Sequence, residues 1–168
     1  FSGLTASAIY GLGEQPGSLG TANAGVHAKY ARGAFAAAFS AQRVRMLPNE
    51  TVATAQQNAY LLGASYDFKV AKVYGSFVKT STDDVVNTNT RTYDLGVKVP
   101  VTAKGALLAE WAHTKRENDD AEGKRNTASI GYDHFLSKRT DVYAIYSYDK
   151  QSDLASANSI GFGVRHAF

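Results

Sequence analysis

The chain ends on Ser159-Ile160-Gly161-Phe162-Gly163-Val164-Arg165-His166-Ala167-Phe168, and this stretch decides the fold. Ile160, Phe162, Val164, His166 and Phe168 share one parity; Gly161, Gly163, Arg165 and Ala167 share the other. Strict period-two alternation marks a β-strand whose two faces meet different surroundings. Chain termini usually fray, so a strand that runs out to a C-terminal aromatic needs a reason. A closed membrane barrel supplies one. Its last strand pairs with its first, and the terminal aromatic lies at the bilayer interface.

The composition agrees. The 168 residues suffice for one domain of ordinary size. No run approaches the ~20 apolar residues that a spanning helix needs. Mean hydropathy is −0.26, which a membrane barrel tolerates because half of each strand stays polar. Fifteen Gly, ten Tyr, eight Phe and no Cys exclude a disulfide scaffold, thiol catalysis and Cys-based zinc sites. The net charge of +3 is too weak for nucleic-acid binding, which needs a clustered basic face. The chain starts on Phe1 with no signal peptide, as a mature exported protein does. FSGL opens directly at a strand onset, so an upstream part of the same barrel is expected.

Ten strands are expected, at 3–12, 21–31, 33–43, 57–68, 70–79, 91–101, 106–116, 126–135, 140–148 and 158–168. Strands of about 9–11 residues match a tilted bilayer crossing. Short connections near Arg32, near Lys69, at Thr102–Lys104 and at Ser137–Arg139 alternate with long ones. The long ones are expected at Gly13–Gly20, Val44–Gln56, Thr80–Thr90, Glu117–Arg125 and Asp149–Ala157. Short periplasmic turns and longer external loops are the habit of bacterial barrels.

One parity of each strand is compatible with lipid. The sets begin Leu4/Ala6/Ala8/Tyr10 and Ala22/Ala24/Val26/Ala28/Tyr30, and continue through Tyr93/Leu95/Val97/Val99 to the terminal set. None contains Asp, Glu, Lys or Arg, and aromatics gather near set ends. A charge at mid-bilayer costs ~2–4 kcal/mol on such a face. A soluble sandwich or barrel would invert the pattern, apolar in and polar out. Strand length, connection asymmetry and the terminus favour the membrane form.

The opposite parity carries Lys29, Lys72, Lys98, Arg165, Asp67, Asp94, Glu110 and Asp133, the expected pore-lining charges. Opposed rows of the two signs would set a transverse field across a pore; as structural pairs on neighbouring strands they would each contribute little. Gly11-Leu12-Gly13-Glu14-Gln15-Pro16-Gly17 lacks the spacing of a dinucleotide fingerprint. His27, His113, His134 and His166 are scattered, with no metal motif. Only His113 lies near the external rim, which does not make a catalytic constellation. The acidic run Glu117-Asn118-Asp119-Asp120-Ala121-Glu122 lacks a calcium-loop order and reads as a solvated loop. No enzyme, cofactor or metal is expected.

Four blocks resemble a known family: Phe1-Ser2-Gly3-Leu4, Gly63-Ala64-Ser65-Tyr66-Asp67-Phe68, Gly131-Tyr132-Asp133-His134 with Leu136-Ser137-Lys138-Arg139-Thr140, and Gly163-Val164-Arg165-His166-Ala167-Phe168. They resemble the trimeric general porins of beta-proteobacteria, the group of the Comamonas/Delftia anion-selective porin and the neisserial porins. The resemblance implies a Gram-negative outer-membrane channel, weakly anion-selective, passing small anions and hydrophilic solutes. It implies a homotrimer in contact with membrane lipid and lipopolysaccharide. It also implies an assembly signal at Phe162, Val164, His166 and Phe168. Porins of this kind have sixteen strands, so ten imply a C-terminal portion, with the constriction loop in the missing N-terminal part. The rival reading is a receptor or adhesion barrel whose external loops bind a partner, although Val44–Gln56 and Thr80–Thr90 carry no aromatic anchors.

Overall fold

A computed structural model describes residues 2–12, 23–46, 55–84 and 86–168. Every regular element in it is a strand: β1 (Leu4–Gly11), β2 (Asn23–Arg32), β3 (Phe35–Met46), β4 (Ala55–Asp67), β5 (Lys72–Asp83), β6 (Thr88–Pro100), β7 (Gly105–Asn118), β8 (Glu122–Phe135), β9 (Thr140–Gln151) and β10 (Ala157–His166). They form one antiparallel sheet in chain order. All ten expected strands are present. Ala22, Phe1 and most of the first glycine-rich stretch lie outside the described residues.

The sheet has almost no core. Among the described residues only Ala55 and Ala106 are buried apolar side chains. The accessible surface is 11825 Å², against ~8,000 Å² for a soluble monomer of this mass. Something beyond these ten strands must cover the excess. The register says what. Cross-strand partners share a face, and the pairing carries Leu4 to Tyr30, Ala37, Ala64, Gly75, Leu95, Trp111, Ala128 and Tyr148. Described members of the ten apolar sets therefore lie on one continuous face. Leu62, Leu95, Ile130 and Phe162 are exposed on it, as lipid contact requires.

Aromatics border that face at both ends. Tyr10, Tyr60, Tyr93, Trp111 and Tyr148 mark one end; Tyr30, Phe35, Tyr66, Phe68, Tyr132 and Phe168 mark the other. Rings within the belts touch: Tyr66 and Phe68 centroids lie 4.6 Å apart, and Phe77 and Tyr93 5.0 Å. The belts cross the register diagonally. Tyr30 belongs to the turn-end belt, yet its row reaches Trp111, Tyr148 and finally Asn158. On β10 the turn end of this face lies at His166, eight residues beyond Asn158, over the eight strand-to-strand steps from β2 to β10. One residue of stagger per strand, at ~3.4 Å rise and ~4.8 Å spacing, tilts the strands by about 35°. That is the tilt of a membrane barrel.

The short turns fall where expected, at residues 33–34, 68–71, 101–104 and 136–139. Gly33 takes φ +60° in the two-residue turn, a conformation that costs other residues about 1 kcal/mol or more. Three connections expected to be long are not. The connection between β5 and β6 spans residues 84–87, that between β7 and β8 residues 119–121, and that between β9 and β10 residues 152–156. The reason is continued pairing. Thr80↔Thr90, Ser81↔Asn89 and Thr82↔Thr88 extend one hairpin, and Arg116↔Gly123 and Glu117↔Glu122 the next. Polar, β-branched residues make good ribbon outside the bilayer, where hydrophobic alternation no longer marks a strand.

β1 and β10 are not paired with each other, so the sheet is open. The strand that ends the chain pairs with β9 alone.

Candidate functional site

The face opposite the apolar one is polar. It begins with hydroxyl ladders: Thr92 and Thr114 Oγ1 atoms are 2.9 Å apart, and Ser129 and Ser147 Oγ atoms 2.7 Å. His27 Nδ1 lies 2.9 Å from Ser40 Oγ. These pairs sit on neighbouring strands because alternate residues of each strand point the same way.

All eight predicted charges, Lys29, Lys72, Lys98, Arg165, Asp67, Asp94, Glu110 and Asp133, lie on this face. Their arrangement differs from opposed rows. Register places Asp67 opposite Lys72 and Lys72 opposite Lys98, so the two signs interleave. The Lys72 Nζ also sits 5.2 Å from the Tyr74 ring centroid, a cation–π contact.

The densest grouping is on β6–β10. Arg165 Nε donates to Asp141 Oδ1 at 2.9 Å, and its Nη2 lies 3.9 Å from Asp133 Oδ2. Arg165 stays 67% exposed while Asp141 is buried. Glu110 and Asp94 are side by side on β7 and β6. These groups surround a concavity of about 830 Å³ whose floor includes Tyr74, Leu108, Tyr143 and Ile145. Four carboxylates and two cations (Lys98 and Arg165) line it.

Sequence reasoning missed Asp141, Arg116, Arg125 and Asp149 on this face. Asp141 follows the parity of its strand and could have been found. Arg116 closes the strand expected at 106–116 and follows its parity too, whereas Arg125 and Asp149 were assigned to connections, and the extended hairpins bring them onto the wall. Arg125 Nε meets Asp149 Oδ1 at 2.7 Å, and Thr127 Oγ1 donates to the same oxygen at 2.7 Å. Counted on the described strands, the face holds six cations (Lys29, Lys72, Lys98, Arg116, Arg125, Arg165) and six carboxylates (Asp67, Asp94, Glu110, Asp133, Asp141, Asp149).

At the end of β10, Phe162 and Val164 project on the apolar side. His166 Nδ1 lies 2.8 Å from Thr140 Oγ1, and its ring meets Phe168 edge-on at 4.9 Å. His113 also points to the apolar side, bound to Asn126 Oδ1 at 2.8 Å. In the acidic run, Asn118 Oδ1 accepts from the Ala121 amide at 2.6 Å and closes the turn.

An antiparallel sheet with one lipid-compatible face, two aromatic belts, 35° tilt and a charged, hydrated reverse face is the wall of a transmembrane β-barrel. The chain matches the family described as Gram-negative porin over residues 1–154, and it belongs to that family. It is 29% identical over 143 residues to an outer membrane porin protein of Bordetella pertussis, covering 68% of this chain and 37% of that protein. It is 31% identical over 127 residues to outer membrane porin protein 32 of Delftia acidovorans, covering 64% and 36%. The chain thus spans little more than a third of these relatives. The fold of the anion-selective porin from Comamonas acidovorans superposes with a TM-score of 0.86 at 25% identity, covering all of this chain and 57% of that one. An outer membrane protein of Vibrio cholerae gives 0.84 at 16% identity, a likeness of fold alone. Both relatives are outer membrane porins, and the chain's place is the Gram-negative outer membrane.

Proposed function

We propose that the ten strands are the C-terminal part of a sixteen-stranded barrel that passes ions and small hydrophilic solutes down their gradients. The observation that carries this is the reverse face: twelve charges and several hydroxyls on a surface whose other side is built for lipid. Such a wall is stable only against water. Open edges on β1 and β10 support completion by further strands, because unpaired backbone does not survive in lipid. Coverage of 57% of the Comamonas porin supports the same reading.

Lys29, Lys72, Lys98 and Arg165 with Asp67, Asp94, Glu110 and Asp133 line the lumen in this reading. Selectivity is weakly anionic. Similarity to an anion-selective porin and the net charge of +3 support that sign. The six-to-six balance of this wall supports its weakness and leaves the stronger bias to the remaining strands. Channels act as homotrimers, as the family resemblance implies. Phe162, Val164, His166 and Phe168 form the assembly signal, supported by their shared face and terminal position.

Planar-bilayer recording of the complete protein under a potassium chloride gradient tests this function. Stepwise conductance in groups of three, with reversal on the anion side, is expected. Folded protein that gives no conductance would overturn it in favour of a plugged receptor barrel.

A further inference from the structure

The apolar face does not stop at the external aromatic belt. It continues outward, and there its character changes abruptly. Lys79 on β5 lies directly opposite Arg91 on β6, Arg91 opposite Lys115 on β7, and Lys115 opposite Lys124 on β8. Four cations thus occupy one register row on four adjacent strands, about 14 Å from end to end. The row starts beside Tyr60, its partner across β4 and β5, and runs just outside Tyr93 and Trp111.

Stability alone does not explain this row. Like charges directly opposite each other in a sheet are destabilising. Glu117 and Glu122, in the next row out, offset part of the repulsion: Lys115 Nζ lies 2.7 Å from Glu117 and 3.2 Å from Glu122, Lys124 Nζ 3.6 Å from Glu122, and Arg91 3.9 Å from Glu117. Four cations against two carboxylates leave the patch at +2. The patch faces away from the lumen, so permeating solutes do not meet it. By the short-turn rule it lies at the external membrane surface, the height of lipid headgroups next to an aromatic belt.

We propose that this row binds the phosphate groups of phosphorylated lipid in the outer leaflet. Charge complementarity selects that occupant. A second copy in a parallel trimer would present the same cations at the same height and be repelled. Anionic headgroups meet the row at the right depth, with Tyr93 and Trp111 against the upper acyl chains. The assignment rests on the lipid-facing reading of this face and is independent of conduction.

The test uses the complete protein in detergent, with bisphosphorylated lipid A as probe and dephosphorylated lipid A as its comparison. A Lys79→Gln/Arg91→Gln/Lys115→Gln/Lys124→Gln variant is compared with a Lys72→Gln/Lys98→Gln variant on the opposite face. Wild type and the Lys72/Lys98 variant are expected to bind the phosphorylated lipid alike, with affinity falling as salt rises. The outward variant is expected to bind about tenfold or more weakly, with its single-channel conductance unchanged. Equal binding by the outward variant and wild type would overturn the proposal, as would equal binding of the two lipids or full displacement by millimolar inorganic phosphate. If the fourfold variant does not fold, Lys79→Gln/Lys124→Gln, which leaves Lys115 and its glutamates in place, decides by the same comparison. Loss of conductance with lipid binding intact would count against the channel reading and not against this one.

Discussion

Arg165 on β10 donates through Nε to Asp141 on β9 at 2.9 Å, and the carboxylate is buried while the guanidinium is largely exposed. Asp141 and Asp133 each keep one buried oxygen without a protein hydrogen-bond partner, so Arg165 is the principal compensation for both. The last strand is therefore tied to its neighbour by charge as well as by backbone. Arg165→Met should destabilise the barrel by about 1–3 kcal/mol. The guanidinium chloride midpoint of the folded band on a semi-native gel measures this. In the double variant with Asp141→Asn part of the loss should return; simple additivity would show that the pair is not coupled.

The two faces should respond oppositely to one added charge. Leu95→Arg places a cation between the aromatic belts and should cost about 2–4 kcal/mol. Ser76→Arg, on a neighbouring strand but the polar side, should leave stability nearly unchanged. The same denaturation midpoint reports both.

Lys98 stands among Asp94, Glu110, Asp133 and Asp141 around the concavity. A unit charge at ~8 Å in water is worth about 0.5 kcal/mol. Lys98→Gln should therefore shift the anion-to-cation permeability ratio about twofold towards cations, read as a change of reversal potential. An unchanged reversal potential would mean that permeating ions do not approach this part of the wall.

At the external tip of β7, beyond the aromatic belt, Lys115 holds the Glu117 carboxyl below the usual carboxylate range, chiefly by hydrogen bonding. A depressed carboxylate stabilises the fold above its unfolded pKa, and that contribution disappears as pH falls through the folded value. Amide exchange in the β7–β8 ribbon should thus accelerate, after correction for intrinsic rates, as pH drops below about 4.5, and Glu117→Gln should remove the change.

Much of this was legible in the sequence because lipid and water impose opposite demands on alternate residues. Leu95 and Asp94 sit side by side in the chain and could only face apart. The connections were less legible. Thr80–Asp83 and Glu117–Arg125 carry no apolar alternation, since both faces of a ribbon outside the membrane meet water, so strand and loop look alike there. The same blindness hid Arg125 and Asp149, whereas Arg116 follows the parity of the strand expected at 106–116 and was legible. The pairing of Arg165 with Asp141 was out of reach for a different reason: parity puts both on one face, but only register makes them neighbours.

Between the aromatic belts, even-numbered residues of β6 face water and odd-numbered ones face lipid. The chain has no cysteine, so single cysteines can be placed without background. Tyr93, Asp94, Leu95, Gly96, Val97 and Lys98 would each be replaced by Cys and exposed to a charged, membrane-impermeant thiol reagent in the assembled protein. Labelling at 94, 96 and 98, with protection at 93, 95 and 97, is the predicted result. Uniform labelling, or protection at the even positions, would contradict it.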